Sequence, residues 1–498
     1  MNKPDIFKLL ESAALSWSGE KLVSILPLPV SGSTRQYFRI KLKNQTIVGV
    51  WSDNKAENNA FIHFTEQFSK IGLHVPELYF KDLDHNLYLV EDLGDVTLYS
   101  IMTKNSTGIK MPDEEIRKHD LFFNKSADTF PDNARLYYQS ALKHLIRFQL
   151  DGYKELDFSF CIPRPVFDEQ SILWDLQYFK YYVLKLFNIP FDEQKLEDDF
   201  ALTARLLASV DNNYFMYRDF QSRNILIHNN DLYFVDYQGG RKGPLQYDPA
   251  SLLFEARINL PMDFREELTD YYIDALSKHI KLDQGSFREF FYLFVFLRIL
   301  QVLAAYGLRG YVQNKSQFLR SYPYAVNNLE FLLSKGLIKL KAEELLNAVE
   351  KIISVDEIRE KYAESDELNI YIHSFSYKYG IPKDYSGHGG GFVFDCRILP
   401  NPGRFPEFKE MTGIDQPVIK FLEKHNEVKD FLSHIMNIMD IAIQDYLERG
   451  MHRLMVSFGC TGGQHRSVYC AEKIAKYISE KHKIKTSILH GFYKNIGK

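Results

Sequence analysis

Asp219, Asn224 and Asp236 are oxygen-bearing side chains set five and then twelve positions apart, in "YRDFQSRNIL" and "DLYFVDY". Phosphoryl transfer to a hydroxyl needs an oxygen base beside the acceptor and oxygen ligands for the metal that accompanies the phosphates. The order along the chain suits that work, with Asp219 as base and Asn224 and Asp236 as metal ligands. An Asx-rich turn with ordinary polar caps would draw on the same residue types.

A second stretch, "LMVSFGCTGGQHRSVYCAEKIA" from Leu454 to Ala475, runs from an apolar strand through a glycine turn into a helix. Backbone N–H groups of Thr461 to Arg466 would converge at the helix N-terminus, where the dipole and Arg466 favour an anion. Cys460 and Arg466 also have the C-x5-R spacing of a cysteine phosphatase loop, so a thiolate nucleophile stands as an alternative to binding alone. A tight strand-to-helix turn is the plainest reading. A third stretch, "SGSTRQYFRI" from Ser31 to Ile40, places Gly32 and Ser33 where backbone N–H groups can approach phosphates between two strands, as any Gly-Ser turn would.

The elements around these residues read as follows. Residues 20–100 are strand-rich, with one helical stretch at "AENNAFIHFTEQFSKIG". Residues 101–133 form a polar, weakly periodic insertion with no assigned role. Helical periods dominate from 134 to 345, broken by short strands near Asp219 and Asp236. A charged helical segment leads to "LNIYIHSFSYKYG", which opens a new strand-led unit. The pattern predicts an α+β arrangement, a small sheet with one helix followed by a mostly helical lobe, and then a smaller α/β domain carrying a phosphate-binding strand-loop-helix. The expected divisions are 1–95 (N-lobe), 96–345 (helical C-lobe), 346–366 (linker) and 367–498 (second domain).

Composition sets outer bounds. The 498 residues, 45% apolar and 14% aromatic, suffice for two or more buried cores. A net charge of −4 gives no whole-chain footprint for nucleic acid or membrane. Locally, Ala471 to Lys498 holds seven lysines against two glutamates, a solvated face or a set of RNA phosphate contacts. No window is read as approaching a membrane span, the start lacks a leader pattern, and the four cysteines form no CxxC pair. The expectation is a cytoplasmic protein in a reducing compartment without a membrane partner.

Residues 20–345 resemble the aminoglycoside phosphotransferase and choline kinase superfamily. Through "YFRI", "LVEDLGD", "RDFQSRN" and "DYQGGRKGPLQYDPASLL" they look most like the N-acetylmuramate/N-acetylglucosamine anomeric kinases of cell-wall recycling. The resemblance implies an α+β bilobal protein-kinase-like fold, with ATP and Mg2+ in the cleft and an amino-sugar hydroxyl as acceptor. It implies Asp219 as base, Asn224 and Asp236 as magnesium ligands, and Gly32, Ser33, Arg35 and Glu57 around the nucleotide. Glu91 and Leu93 would offer hinge backbone to adenine. The chain departs from the pattern at Gly49, which stands where a kinase strand carries its phosphate-binding lysine, with Arg35 or Lys55 as candidate substitutes. It departs again at Tyr217 in place of histidine, and at "DYQ" in place of Asp-Phe-Gly. Asp248 reads as support for the catalytic loop.

Residues 368–492 resemble the C-terminal domain of the RNase adapter protein RapZ through "SFSYKYGIP", "FVFDCRILPNP", "MTGIDQPV" and "GCTGGQHRS". That resemblance implies a sensor of an amino-sugar phosphate such as glucosamine-6-phosphate. The contacts would come from Asp395, Arg397, Cys460, Thr461, Gly462, Gly463, His465, Arg466 and Ser467. Asp395 and Arg397 read equally as a strand-end ion pair. The combined expectation is an ATP-dependent amino-sugar kinase fused to a sensor. The alternatives are a pseudokinase serving as a sensor or RNA-binding adapter, and a C-terminal cysteine phosphatase.

Overall fold

The structure, a computed structural model, describes residues 6–29, 35–103, 134–313, 315–354, 368–382 and 391–491. Gly32 and Ser33, most of the 101–133 insertion and the last seven residues lie outside the described residues. The chain divides into two compact units, Met1–Leu308 with Ser321–Arg359, and Arg309–Arg320 with Glu360–Lys498.

The first unit begins with helix α1 (Ile6–Ser18) and five antiparallel strands: β1 (Ser24–Pro27), β2 (Gln36–Lys41), β3 (Thr46–Trp51), β4 (Leu78–Asp82) and β5 (Leu87–Glu91). Their spatial order is β1-β2-β3-β5-β4. Helix α2 (Lys55–Lys70) enters through an N-cap, the Asn54 side chain accepting from the Glu57 amide, and buries Ala60, Phe61, Phe64 and Phe68. On the other sheet face Leu10, Ala13 and Ala14 of α1 close a core with Ile40, Ile47, Trp51 and Leu89.

Strand alternation corrects the reading of Gly49. A Cβ at that position would lie 2.6 Å from Leu10 Cδ2 and 2.9 Å from Ile40 Cδ1, on the face covered by α1. Successive residues point to opposite faces, so the positions turned toward α2 are Val48 and Val50. Val50 pairs in register with Tyr37 and Tyr88, and Tyr88 stacks on Phe61 of α2 at 4.8 Å. A lysine at 49 would enter the α1 core rather than the cleft.

The helical part comprises α3 (Leu98–Thr103), α4 (Ala134–Arg147), the single turn α5 (Tyr153–Glu155), α6 (Glu169–Phe179), α7 (Glu193–Ala208), α8 (Tyr247–Leu253), α9 (Met262–Ser277), α10 (Gln284–Tyr306), α11 (Tyr322–Ser334) and α12 (Glu343–Ile353). Between α7 and α8 lie two small antiparallel pairs, β6 (Tyr214–Met216) with β9 (Arg241–Gly243), and β7 (Ile225–His228) with β8 (Asp231–Phe234). Helix α10 requires a second correction. With its continuation to Val312 it is long and apolar enough to cross a membrane by length and composition, although 72% of the relevant window is buried in the structure. All four cysteines are buried and unpaired.

The second unit holds a parallel sheet ordered β11-β12-β10-β13. Its strands are β10 (Asn369–Ser376), β11 (Phe392–Asp395), β12 (Arg453–Cys460) and β13 (Lys485–His490), and its helices α13 (Gln416–Glu423), α14 (Asn426–Glu448) and α15 (Arg466–His482). β10 and β12 are nearly continuous buried runs, as central parallel strands require. From β10 the chain passes to one edge of the sheet and from β12 to the other, so the order reverses between these neighbours. Ligands of open parallel sheets bind at the carboxyl ends of strands at such a point.

Candidate functional site

Hairpin geometry brings the first three residues together. β7 and β8 are joined by Asn229 and Asn230, both at positive φ, which suits a two-residue turn. Ile225 therefore pairs with Phe234, and Asn224 and Asp236 emerge side by side at the open end. The Asn224 amide donates to the Asp219 carbonyl at 2.9 Å and lies 3.4 Å from Asp236 Oδ2. One amide thus ties the backbone of the base candidate to the second acid.

The Asp219 loop is fastened from below. The Asp248 carboxylate accepts from the backbone N–H of Tyr217 at 2.7 Å and of Arg218 at 2.9 Å. Arg218, at φ 77, forks onto Asp175 of α6 at 3.0 and 2.9 Å and lies over the rings of Phe167 and Tyr247. The Tyr217 hydroxyl donates to the Val235 carbonyl at 2.6 Å, so the tyrosine found in place of histidine joins the Asp219 loop to the Asp236 loop. Tyr237 of "DYQ" is buried, stacks on Phe61 and shares a 2.5 Å hydrogen bond with Thr65 of α2.

The charge distribution is uneven. Burial, with Asp219 beside it, pushes the Asp236 carboxyl up to about 6, and the Gln238 amide donates to it at 2.6 Å. A half-buried carboxylate next to a second acid, with amides around it, is a donor set that fits a hard divalent cation. On the far side of Asp219, Arg298 of α10 points Nη2 at Asp219 Oδ1 from 3.7 Å, its Nε held by Ser251 at 3.1 Å and Nη1 by Gln301. Gly239 and Arg241 follow on the same loop, Arg241 donating to the Gly239 carbonyl. Sequence reasoning missed Asp175 and Arg298; the available signal was a lone charge inside an apolar run, "ILWDLQYF" and "FVFLRILQV".

Around the nucleotide expectation, Arg35 pairs with Glu57 at 3.1 Å. The Glu91 amide is spent on the Glu77 carbonyl at 2.9 Å, and Leu93 follows it, buried. Lys55 is exposed at the start of α2.

In the second unit the candidate residues gather at the carboxyl ends of β10, β11 and β12. Gly463, at φ 72, donates its N–H to Cys460 Sγ at 3.2 Å, and the Ser467 hydroxyl lies 3.1 Å from that sulfur. A Cβ on Gly463 would approach the Ser376 amide to 3.0 Å, and the Ser376 hydroxyl donates to the Thr461 carbonyl. Thr461 and Gly462 are exposed at the tip. Asp395 and Arg397 form a bidentate ion pair, and Arg397 stacks on Tyr377 at 3.9 Å. Arg466 and His465 are buried and engaged elsewhere. Arg466 Nη1 donates to the carbonyls of Arg397 and Leu399, both at 3.0 Å, and His465 Nε2 bonds the Phe408 carbonyl at 2.8 Å. "MTGIDQPV" packs on the same loop, the Gly413 N–H donating to the Gln464 carbonyl.

Comparisons with known proteins agree with this division. The model of the phosphotransferase enzyme family matches residues 166–287, and that of the RapZ C-terminal domain matches residues 368–491. A "Nucleotide-binding protein" of Glaesserella parasuis is 37% identical over 186 residues, and one of Mannheimia succiniciproducens is 39% identical over 193. These matches cover 35% and 36% of this chain, which spans 63% and 64% of those relatives' length. Among solved structures, the choline kinase LicA of Streptococcus pneumoniae is 15% identical with a TM-score of 0.41, covering 65% of this chain and 99% of its own. An ethanolamine kinase of Plasmodium vivax is 14% identical with a TM-score of 0.44, covering 66% and 88%. Residues 166–287 are thus similar to the phosphotransferase enzyme family, and residues 368–491 to the RapZ C-terminal domain.

Proposed function

We propose that the first unit transfers a phosphoryl group from ATP to an amino-sugar hydroxyl, and that the second unit binds an amino-sugar phosphate as effector. The observation that carries the reading is the junction of Asp219, Asn224 and Asp236 at the open end of the β7–β8 hairpin. In this reading Asp219 accepts the acceptor's proton, while the Asp248 and Arg218 contacts hold its loop in place. Asn224 and Asp236 would hold magnesium, which supplies charge neutralisation to the nucleotide phosphates when bound. Arg298 faces the acceptor side of Asp219, where a cation favours a neutral or anionic acceptor over a cationic one.

For the second unit, binding is favoured over cysteine chemistry. A phosphatase loop turns its arginine to the phosphate, whereas Arg466 spends Nη1 on two backbone carbonyls of a neighbouring segment. The four unpaired, buried thiols suit a cytoplasmic setting.

The test is transfer from ATP and magnesium to N-acetylmuramate, N-acetylglucosamine and glucosamine, with and without glucosamine-6-phosphate. Transfer to one sugar, abolished in Asp219→Ala and altered by the sugar phosphate, is the expected result. No transfer to any sugar, combined with RNA capture by the second unit, would replace this reading with the adapter.

A further inference from the structure

The loop after β8 reads "VDYQGG", with Gln238 where the Asp-Phe-Gly pattern has its glycine. Unlike a glycine, Gln238 reaches back two residues along its own chain, and its Nε2 donates to Asp236 Oδ1 at 2.6 Å. The other oxygen of that carboxylate, Oδ2, has the Asn224 amide at 3.4 Å, and the same Asn224 nitrogen donates to the Asp219 carbonyl at the shorter distance of 2.9 Å. Of the two amides on Asp236, Gln238 is the closer, at a length below that of most N–H···O bonds.

The backbone of this loop is held without the help of that side chain. The Val235 N–H donates to the Asn224 carbonyl at 3.1 Å, the Val235 carbonyl accepts from Tyr217, and the Gly240 N–H donates to the Tyr237 carbonyl at 2.9 Å. The Tyr237 hydroxyl is fastened in turn to Thr65 of α2. Asp236 sits between these anchors at φ 69, a left-handed backbone that residues other than glycine seldom adopt. At the other end of the Gln238 amide, Oε1 is buried and takes no hydrogen bond from the described residues. Burying an amide oxygen without a donor is unfavourable, so an apolar side chain of the same length would pack there at less cost. What the amide adds to a loop already anchored is its bond to Asp236 Oδ1.

We propose that Gln238 is a positioning residue of the cation site, its amide fixing the rotation of the Asp236 carboxylate for a divalent cation. Outer hydrogen bonds of this kind orient ligating side chains, and a small cation such as magnesium demands near-ideal ligand geometry. The departure from the glycine pattern thus places a side chain that acts on the metal ligand next to it. This inference rests on the reading of Asp236 as a metal ligand.

The experiment is equilibrium binding of Mn2+ alone, read from the paramagnetic resonance signal of the free ion, and of ADP without metal, to the full chain and to Gln238→Leu and Asp236→Asn. Gln238→Leu removes the donor with little change of bulk, and its Mn2+ affinity should fall about tenfold, the usual effect of losing an outer partner of a ligand. Its metal-free ADP affinity should stay within about twofold of the unaltered chain. Asp236→Asn should abolish Mn2+ binding. An Mn2+ affinity in Gln238→Leu within about twofold of the unaltered chain would overturn the proposal. So would a parallel loss of Mn2+ and ADP affinity, the mark of a packing role. If Gln238→Leu does not fold, Gln238→Met, which also lacks a donor, is read by the same criteria. Undiminished Mn2+ binding in Asp236→Asn would instead remove the metal reading of Asp236 beneath the proposal.

Discussion

Asp219 is half exposed while the residues that aim it are buried, so the two kinds of residue should fail differently. Asp219→Asn preserves shape and removes the proposed base; transfer should fall roughly 10²–10⁴-fold with ATP affinity kept. Steady-state kinetics alongside nucleotide titration check this. Arg298 makes a sharper case. It is a nearly buried cation in an apolar helix, so Arg298→Met should leave the thermal midpoint unchanged or raised, because a packed apolar side chain avoids the desolvation cost. Transfer should nevertheless drop roughly tenfold, since Asp219 loses the counter-charge that lies 3.7 Å from its Oδ1. A variant that loses stability and activity together would make Arg298 a structural residue. Legibility differed between the two for a physical reason. Asp219, Asn224 and Asp236 sit around a short hairpin, so their separation along the chain fixes their separation in space. Arg298 and Asp175 reach the site from helices whose phase and docking no local pattern encodes.

At the scale of elements, the site depends on three loops staying in register. The Tyr217 hydroxyl and the Asp248 carboxylate perform that task with one and two hydrogen bonds. The ionisation of Asp248 makes the fastening pH-dependent. Burial pushes the Asp248 carboxyl from 3.8 up to about 7, against the pull of the two backbone N–H groups. The folded state therefore keeps a proton that the unfolded chain releases, so this contribution is full below about pH 4 and is lost as pH rises toward 7. His144 runs the other way. Burial, with His74 beside it, lowers it from 6.5 to about 4, so its contribution is full above pH 6.5 and is lost as pH falls toward 4. The two slopes oppose each other in the same window, and each becomes visible as a difference from its own variant. Denaturant unfolding from pH 4 to 7 should show His144→Phe losing the acid-side decline and Asp248→Asn losing the decline on the rising side. Parallel curves for variant and unaltered chain would contradict the assignment. Gly49 shows what sequence alone leaves open at this scale: a one-residue difference along a strand decides which face a side chain occupies, and only the packing of α1 settles it.

At the scale of the whole molecule, the two units have separate hydrophobic cores, one built on β10 to β13 and the other including the α1-covered sheet. Separate cores should melt as separate transitions, which calorimetry of the full chain can resolve. A ligand that binds one folded unit raises that unit's stability by about 2.7 kcal/mol at a hundred times its dissociation constant. Magnesium with ADP should therefore move one transition and glucosamine-6-phosphate the other. Gly463→Ala should erase the second shift, because a Cβ at φ 72 is strained and would press on the Ser376 amide at 3.0 Å. Regulation adds a stricter requirement. If the sugar phosphate alters transfer by changing nucleotide affinity, linkage demands that the nucleotide alter sugar-phosphate affinity by the same factor. Titrating each ligand in the presence and absence of the other measures both factors. Equal factors different from one would establish communication between the units. Factors of one, with transfer still changed, would place the effect on the chemical step, and factors of one with transfer unchanged would make the fusion a matter of shared location alone.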